Sequence, residues 1–353
     1  IIMWKQYSYI GHRVQGLQDF VDYIFLEVLF RAHEHPAEEL LAVVDEPTKK
    51  FLLEVKEYKF YEQLCKLYDG CKSLDDVKVN FLRTAYCNNN QIERLCRKEI
   101  KPFRFKDLLK VYKDDEDWKA LLNSLKKFCN DLYTEYVNLK AFQDRYGTLS
   151  EYYKTLVKND SICHCCGIGS ILTEDNAPRD AFDHYLPKAL YPFVSLNFHN
   201  LVPTCYHCNS SYKRESDTLF VKRGRKETQV KAFIPFLKGE ASSYEIYVNV
   251  EMITHYKREE TKKEDINVIC SCPEYPEECD NWMRVYQIKE RYTSYCHKQE
   301  NLSLINDIIE LSLSNPDFAK MEIQKMERNL NIHEYFLLAP FVRAVFKSLG
   351  KAI

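Results

Sequence analysis

The feature that most constrains the fold of this chain is a Cys-x2-Cys sequence that occurs twice. The pattern comprises Cys163, Cys166, Cys205 and Cys208. Each pair places two thiolates at the spacing of a tight turn, and two pairs complete a tetrahedral site of four sulfurs without an open coordination position. We therefore expect the four cysteines to hold a structural Zn²⁺ that joins the two pairs. His164 and His207 lie inside the pairs and are alternative ligands.

Cysteine content and hydropathy bear on the cellular compartment. The chain has 353 residues, of which 14 are cysteines. No uncharged apolar run reaches the roughly 18 residues that a membrane helix needs, so no membrane partner is expected. The first residues lack the basic region and apolar stretch of a secretory signal. We expect a cytoplasmic protein in which paired cysteines bind metal rather than form disulfides.

A second group of cysteines has irregular spacing. Its members are Cys270, Cys272, Cys279 and Cys296. They could bind a second metal ion, but the irregular spacing favours reduced cysteines in a turn-rich segment.

The apolar pattern predicts a mainly helical α+β protein. The chain has only 9 Gly and 12 Pro, and apolar residues recur at helical spacing over residues 17–153. Turn residues crowd into residues 163–209, residues 244–250 alternate as in a strand, and helical patterns resume after Glu277. We expect three domains, namely an N-terminal helical domain (1–155), a zinc-stapled domain (156–235) and a C-terminal mixed, mostly helical domain (236–353).

Side chains between and beside the cysteine pairs could perform hydrolysis. Asp183 and His184 are adjacent and are predicted at a strand end, where they point to opposite faces. Asn209 directly follows Cys208, and we expect it in the first turn of a helix that projects it towards Asp183. An Asp and an Asn offer oxygen ligands of low charge, which suits Mg²⁺. His184 is a candidate general base for water.

The order of these residues resembles the HNH endonucleases. Asp-His-Tyr-Leu-Pro begins at Asp183, and Asn-Leu-Val-Pro-Thr-Cys-x2-Cys-Asn begins at Asn200, downstream of the first cysteine pair. The resemblance covers residues 161–231. It implies a small zinc-stapled ββα-metal core, in which two strands and a helix surround a catalytic metal ion.

The resemblance implies roles for four residues by motif position. His184 activates water, Asp183 and Asn209 hold a catalytic Mg²⁺ or Mn²⁺, and Asn200 buttresses the loop between the strands. The last motif residue is Asn rather than His, which favours a metal site of oxygen ligands. The implied reaction is hydrolysis of DNA phosphodiester bonds to products with 5′ phosphate and 3′ hydroxyl groups.

Binding of DNA would need a local basic patch, because the formal net charge of the chain is −2. The candidate patch comprises Lys213, Arg214, Lys222, Arg223, Arg225 and Lys226. We expect these side chains to contact phosphates without reading base sequence. Lys213 follows Asn209 at N-x3-K spacing, whereas the family more usually has N-x2-K.

The remaining sequence suggests partners rather than further chemistry. The chain has no G-x-x-x-x-G-K-[ST] sequence and hence no P-loop of its own. In architecture it resembles nuclease components of bacterial anti-phage systems, in which a separate ATPase supplies regulation. We expect docking onto such a partner or onto a second copy of the chain. Two other functions stay open: a non-catalytic zinc-stapled module that binds nucleic acid or a partner, and an effector that cuts RNA.

Overall fold

Helices dominate the structure, which confirms the mainly helical α+β class. The computed structural model describes residues 2–158, 161–176, 179–237, 243–329 and 334–351. The α-helices of the N-terminal segment are α1 (Gly16–Tyr23), α2 (Leu40–Val43), α3 (Glu46–Glu54), α4 (Lys59–Lys72), α5 (Asp76–Asn89), α6 (Ile92–Cys96), α7 (Phe105–Val111), α8 (Glu116–Thr134), α9 (Lys140–Tyr146) and α10 (Leu149–Leu156). Shorter turns of 3-10 or π type cover Arg13–Gln15, Ile24–Val28, Leu29–Glu34 and Tyr136–Asn138.

Aspartate caps set where α5 and α8 begin. The Asp75 carboxylate accepts a hydrogen bond from the amide of Lys78, and the Asp115 carboxylate accepts one from the amide of Trp118. Each cap satisfies an amide group that has no acceptor within its helix. The apolar face of α8 is buried, while its polar face stays at the surface.

Aromatic rings fill the core between these helices. Tyr136 and Phe142 approach the ring of Phe60 edge to face, with centroids 5.2 and 5.0 Å away. Phe128 of α8 packs against the same ring at 5.6 Å. Aromatic pairs of this kind are favourable beyond the area that they bury. These contacts hold α8 against α4.

The strands form several small sheets. They are β1 (Ile2–Lys5), β2 (Tyr7–Ser8), β3 (Phe182–His184), β4 (Leu201–Pro203), β5 (Phe220–Arg223), β6 (Lys226–Gln229), β7 (Phe236–Leu237), β8 (Ser243–Met252) and β9 (Ile266–Ser271). β8 lies between β1 and β9 in an antiparallel sheet, with Trp4 opposite Tyr244 and Val250 opposite Val268. β2 and β7 pair in parallel, while β3–β4 and β5–β6 are antiparallel pairs. The strand predicted over residues 244–250 is confirmed.

The first strands of the chain lie beside strands from its C-terminal third. Because β1 pairs with β8 and β2 with β7, residues 2–8 extend sheets whose other strands come from residues 236–271. Buried apolar side chains from all three predicted domains belong to one continuous core. The domain boundaries after residues 155 and 235 stay predictions.

Helices resume after β9, as the sequence pattern predicts. They are α11 (Pro276–Tyr286), α12 (Ile288–Cys296), α13 (Gln299–Ser314), α14 (Phe318–Arg328) and α15 (Tyr335–Ser348). α15 packs against β8 and α14. None of the helices in the described part of the chain combines the length and hydropathy that crossing a bilayer requires.

Two buried side chains tie α11 and α12 to the first cysteine pair. The indole Nε1 of Trp282 donates a hydrogen bond to the Cys165 carbonyl at 2.6 Å. The hydroxyl of Tyr292 donates to the Cys166 carbonyl at 2.7 Å. The C-terminal helices therefore cover the cysteine-rich segment and satisfy its buried backbone acceptors.

Tyr292→Phe should destabilise the fold by about 1–3 kcal/mol, because the buried Cys166 carbonyl then lacks a donor while the ring packing is retained. Chemical denaturation measures the change. Tyr247→Phe is the matched control, since Tyr247 is exposed on β8, and should change stability by no more than about 0.5 kcal/mol. Equal effects of the two substitutions would contradict the role of the Tyr292 hydroxyl.

Candidate functional site

The four cysteines of the two Cys-x2-Cys pairs converge in the structure. Their sulfur atoms all lie within 4.8 Å of one another, and all four residues are buried. The Sγ atoms of Cys163 and Cys208 are 3.8 Å apart, and those of Cys166 and Cys205 are 3.9 Å apart. Four sulfurs bound tetrahedrally at about 2.3 Å from Zn²⁺ are spaced about 3.8 Å apart. The cluster therefore fits a structural Zn²⁺.

The backbone of the first cysteine pair forms the tight turn that the spacing predicts. The Cys163 carbonyl accepts hydrogen bonds from the amides of Cys166 and Gly167, at 3.3 and 2.8 Å. Gly169 then passes so close to the second pair that an added β-carbon would lie 2.4 Å from the sulfur of Cys205. The close approach of the two pairs therefore requires glycine at this position.

The two histidines inside the pairs do not join the sulfur cluster. The ring of His164 stacks on that of Tyr7, with centroids 4.0 Å apart, and His207 is exposed. Neither belongs to the group of converging ligand atoms among the described residues. Of the alternatives that the sequence left open, the geometry favours the ligand set of four sulfurs.

A buried arginine supplies positive charge beside this cluster. The Arg291 guanidinium of α12 donates a hydrogen bond to the sulfur of Cys208 at 3.3 Å. Burial opposes the charge on Arg291, but the attraction of Cys208 and Cys166 outweighs it and raises the pKa of Arg291. Arg291 thus favours the thiolate form of Cys208, which is the form that binds metal.

A hairpin and a helical turn follow the first cysteine pair in the predicted order. β3 carries Asp183 and His184 and pairs antiparallel with β4. The turn that follows, His207–Lys213, is a π-helix rather than an α-helix. Its i to i+5 bonding includes a hydrogen bond from the Arg214 amide to the Asn209 carbonyl at 3.0 Å. This turn contains both Asn209 and Lys213.

His184 is held as a neutral imidazole. Its Nε2 lies 2.9 Å from the carbonyl oxygen of Ser195. A carbonyl only accepts, so Nε2 carries the proton and Nδ1 keeps its lone pair. Burial lowers the pKa of His184 to about 3, so the ring is uncharged at neutral pH. This tautomer can accept a proton at Nδ1.

The structure corrects the expectation that Lys213 contacts DNA phosphate. Its side chain is 0% exposed, and its ammonium group lies 2.8 Å from Asp183 Oδ1 and 2.7 Å from the His184 carbonyl. A buried ammonium group needs such partners to offset the loss of water. The expectation failed because the lysine follows Asn209 by one helical turn and faces inward to β3. Lys213 is therefore a counter-charge for Asp183.

The Asp183 carboxylate contacts two buried donors. Its Oδ1 lies 2.8 Å from the Lys213 ammonium group, and the neighbouring Tyr286 hydroxyl also interacts with the carboxylate. Burial raises the pKa of Asp183, and the Lys213 ammonium group and the Tyr286 hydroxyl oppose that shift. Lys213 and Tyr286 therefore hold this carboxylate in place and favour its charged form.

Two asparagines complete the predicted site. Asn200 is fully buried and bridges the loop after β3, since its Oδ1 accepts from the Leu186 amide at 2.6 Å and its Nδ2 donates to the carbonyls of Leu186 and Val194 at 3.0 and 3.2 Å. Asn209 is half-buried, and its Nδ2 donates to the Ala181 carbonyl at 3.4 Å. Asn200 thus occupies the position of a loop buttress.

One cavity of about 610 Å³ brings most of the predicted catalytic residues together. Asp183, His184 and Asn209 all line it, whereas Asn200 lies behind it in the loop. Its lining therefore combines the Asp183 carboxylate and the Asn209 amide, which could hold a cation, with the neutral imidazole of His184, which could act on water. This donor set fits Mg²⁺ or Mn²⁺ that keeps several waters.

The basic patch predicted from the sequence is divided in the structure. Arg214 is exposed and lines the cavity. Its φ of +50° and ψ of −119° match the second position of a type II′ turn, closed by a hydrogen bond from the Ser216 amide to the Lys213 carbonyl at 2.8 Å. Glycine is usual at this position, and a side chain there costs about 1–3 kcal/mol. The other basic residues, Lys222, Arg223, Arg225 and Lys226, are on the exposed β5–β6 hairpin and do not line this cavity.

Sequence reasoning missed several residues of this site. Ser195 holds His184, and the ring of Tyr133 in α8 meets that of His184 edge to face at 4.4 Å. Additional cavity-lining side chains come from α8 and the loop after β3, namely Asn123, Lys126, Lys127, Asn130 and Lys188. The polar face of α8 is visible in the sequence, but nothing in the sequence links that face to the hairpin.

The irregular cysteine group does not converge. Cys270, Cys272, Cys279 and Cys296 are buried free thiols. Within the described ranges, the donor atoms of at least three potential metal ligands converge at the four cysteines of the two Cys-x2-Cys pairs, and this group does not include the irregular cysteines. The interpretation of these residues as reduced cysteines is the one that the geometry supports.

Comparison of the chain with protein-family models, with curated proteins and with solved structures gives no match. The HNH resemblance therefore stays an interpretation of the motif residues. Any functional conclusion depends on the geometry of the cavity and of the sulfur cluster.

Purified protein should contain one equivalent of zinc, and Cys208→Ser should lose it. If zinc binds only the folded state and its free concentration is about a thousand times its Kd, it adds about 4 kcal/mol to the free energy of unfolding. The variant should lose about that amount of stability. Elemental analysis and denaturation measure the two effects. Cys165→Ala is the control, because Cys165 is buried beside Cys166 but lies outside the cluster. Full zinc content in Cys208→Ser would refute the assignment.

Gly169→Ala should also weaken the metal centre, since its β-carbon would push against Cys205. Displacement of this packed contact should cost about 1–3 kcal/mol and lower zinc affinity. Gly11→Ala provides the comparison, because a β-carbon there meets no atom within 4 Å. Competition with a zinc chelator reports the affinity of each variant. Identical chelator curves for the two variants would show that the pairs do not approach as closely as described.

Proposed function

We propose that the protein is a metal-dependent endonuclease that hydrolyses DNA phosphodiester bonds. The observation that carries the proposal is the neutral, hydrogen-bonded His184 in one cavity with Asp183 and Asn209. His184 has an unprotonated Nδ1, and Asp183 and Asn209 carry the oxygen atoms that a divalent cation prefers. The order of the motif residues supplies the substrate class.

His184 acts on the attacking water in this proposal. Its Nε2 donates to Ser195, so its Nδ1 accepts the proton of water as the oxygen attacks phosphorus. The bond from phosphorus to the 3′ oxygen then breaks, and the departing oxygen takes a proton from a solvent water. The products are a 5′ phosphate and a 3′ hydroxyl. The fixed tautomer spares the enzyme the cost of reorienting the base during the reaction.

Asp183 and Asn209 would hold the catalytic Mg²⁺ or Mn²⁺. When bound, such an ion supplies positive charge to the phosphate and to the departing oxygen. Lys213 fixes the Asp183 carboxylate through Oδ1, and this carboxylate would supply one oxygen ligand to the ion. Asn200 keeps the loop that contains Ser195 in place by bridging Leu186 and Val194.

A role in bacterial defence against phage or other foreign DNA is part of the proposal. Its support is the resemblance in architecture, together with the absence of a P-loop in the sequence. Regulation would come from a separate ATPase or from a second copy of the chain. Measurement of particle mass with and without candidate partner proteins tests this part independently of the nuclease activity.

His184→Ala should lower the rate of Mg²⁺-dependent nicking of a supercoiled plasmid by about 10²–10⁴-fold, because the general base is lost. Zinc content and the circular dichroism spectrum should stay unchanged, since the sulfur cluster does not involve His184. His255→Ala serves as the control, because His255 is exposed and lines a different cavity.

The assay also separates the open alternatives. Cleavage by His184→Ala at the wild-type rate would refute the assignment of the base. Wild-type protein that binds DNA without cutting it would indicate the non-catalytic zinc-stapled module. Cleavage of labelled RNA in place of DNA would identify the RNA-cutting effector.

A further inference from the structure

Helix α8 is attached directly to the proposed catalytic base. The Ser195 carbonyl accepts a hydrogen bond from His184. The hydroxyl of the same serine donates a hydrogen bond to the Cys129 carbonyl of α8. Tyr133, one turn further along α8, contacts the His184 ring edge to face. The position of α8 relative to the base is therefore fixed by a hydrogen bond and a ring contact.

One face of α8 forms a wall of the catalytic cavity. The cavity-lining residues of this helix are Asn123, Lys126, Lys127 and Asn130. They recur at intervals of three and four residues, which places them along one face of a helix. From Asn123 to Asn130 the helix rises about 10 Å. One DNA strand covers that distance in about three nucleotides.

The charges in the cavity suit a polyanion. Lys126 and Lys188 form no ion pair with any described residue; their ammonium groups lie 4.4 and 5.2 Å from the ring centroids of Phe105 and Tyr133. These rings position the two charges without neutralising them. Burial also lowers the pKa of Lys188, and the attraction of the Asp131 carboxylate only partly offsets that shift.

The acidic groups of the cavity do not cancel this charge. Asp183 is already paired with Lys213, and Glu215 is the other carboxylate that lines the cavity. The positive charges near Glu215 are Lys126, Lys188 and Arg214. Arg214 lines the same cavity from beyond the π-helix and forms no ion pair within the described part of the chain. Lys127 is paired with Asp131 at 2.6 Å.

We propose that α8 is the second wall of the substrate groove and that the DNA strand to be cut passes between α8 and Arg214. Lys126 and Lys188 contact phosphates that flank the scissile bond, and Asn123 and Asn130 contact the sugar–phosphate backbone. These contacts are made to the backbone, so they bind DNA without base preference. This inference depends on the proposed nuclease function, and it gives the N-terminal segment a direct part in substrate binding.

The decisive variant is the double substitution Asn123→Glu with Asn130→Glu. Both side chains are exposed and glutamate is a good helix former, so the fold should be retained. Two added carboxylates should repel the strand and weaken DNA binding about tenfold or more, measured by fluorescence anisotropy with a labelled duplex. Asn80→Glu is the control for a carboxylate added away from the cavity, since Asn80 is an exposed asparagine on α5 that does not line it. Each single variant, Asn123→Glu and Asn130→Glu, is compared with it so that the added charge is equal.

A second measurement, the salt dependence of DNA affinity, tests Lys126 and Lys188. Lys126→Gln with Lys188→Gln should lower the slope of log affinity against log salt by about two, because each phosphate contact contributes about one. Thermal melting verifies that the variant is folded.

The two experiments also distinguish the ways in which the proposals could fail. Unchanged affinity and salt slope in variants of an active nuclease would overturn the α8 wall alone. Wild-type protein that neither binds nor cuts DNA would overturn both the wall and the proposed function.

Discussion

The four-sulfur cluster is the constraint on which the geometry of the site depends. β3 and β4 have three residues each, and a hairpin so short is not stable alone. The first cysteine pair precedes β3, and the second follows β4 directly. An ion bound to both pairs would fix the two ends of the segment and with them the π-helix that carries Asn209. The contacts from Trp282 and Tyr292 extend the same constraint to the C-terminal helices.

The buried pair of Lys213 and Asp183 determines the electrostatics of the cavity. One carboxylate neutralised by one ammonium group gives the protein part of the proposed metal site little net charge. A divalent cation would then obtain most of its counter-charge from the substrate phosphate. In the proposed nuclease we therefore expect metal and DNA to favour each other's binding. The pairing also fixes the orientation of the Asp183 carboxylate, since Lys213 contacts its Oδ1.

Features that depend on short stretches of sequence could be predicted from the sequence. The sulfur cluster follows from the spacing of the two cysteine pairs, the helices from apolar periodicity and β8 from alternation over residues 244–250. The predicted phosphate contact of Lys213 was wrong. Its charge and its position after Asn209 suggested a surface contact, whereas the π-helical turn directs this lysine inward to β3. The contacts of His184 with Ser195 and Tyr133 could not be predicted, since they depend on how a long loop and α8 pack.

In the proposed nuclease, the position of α8 would give the large helical part of the chain a role beside the small hairpin. The segment that contains the two cysteine pairs would supply the base and the oxygen ligands, and α8 would add charge around them. Lys126 on α8 and Lys188 in the loop are held over aromatic rings at the cavity, and both rings belong to the helical N-terminal segment. The aromatic core around Phe60 in turn fixes α8. The packing of the N-terminal segment therefore sets the distance between the cavity walls, and a change in that packing would alter the site without touching the motif residues.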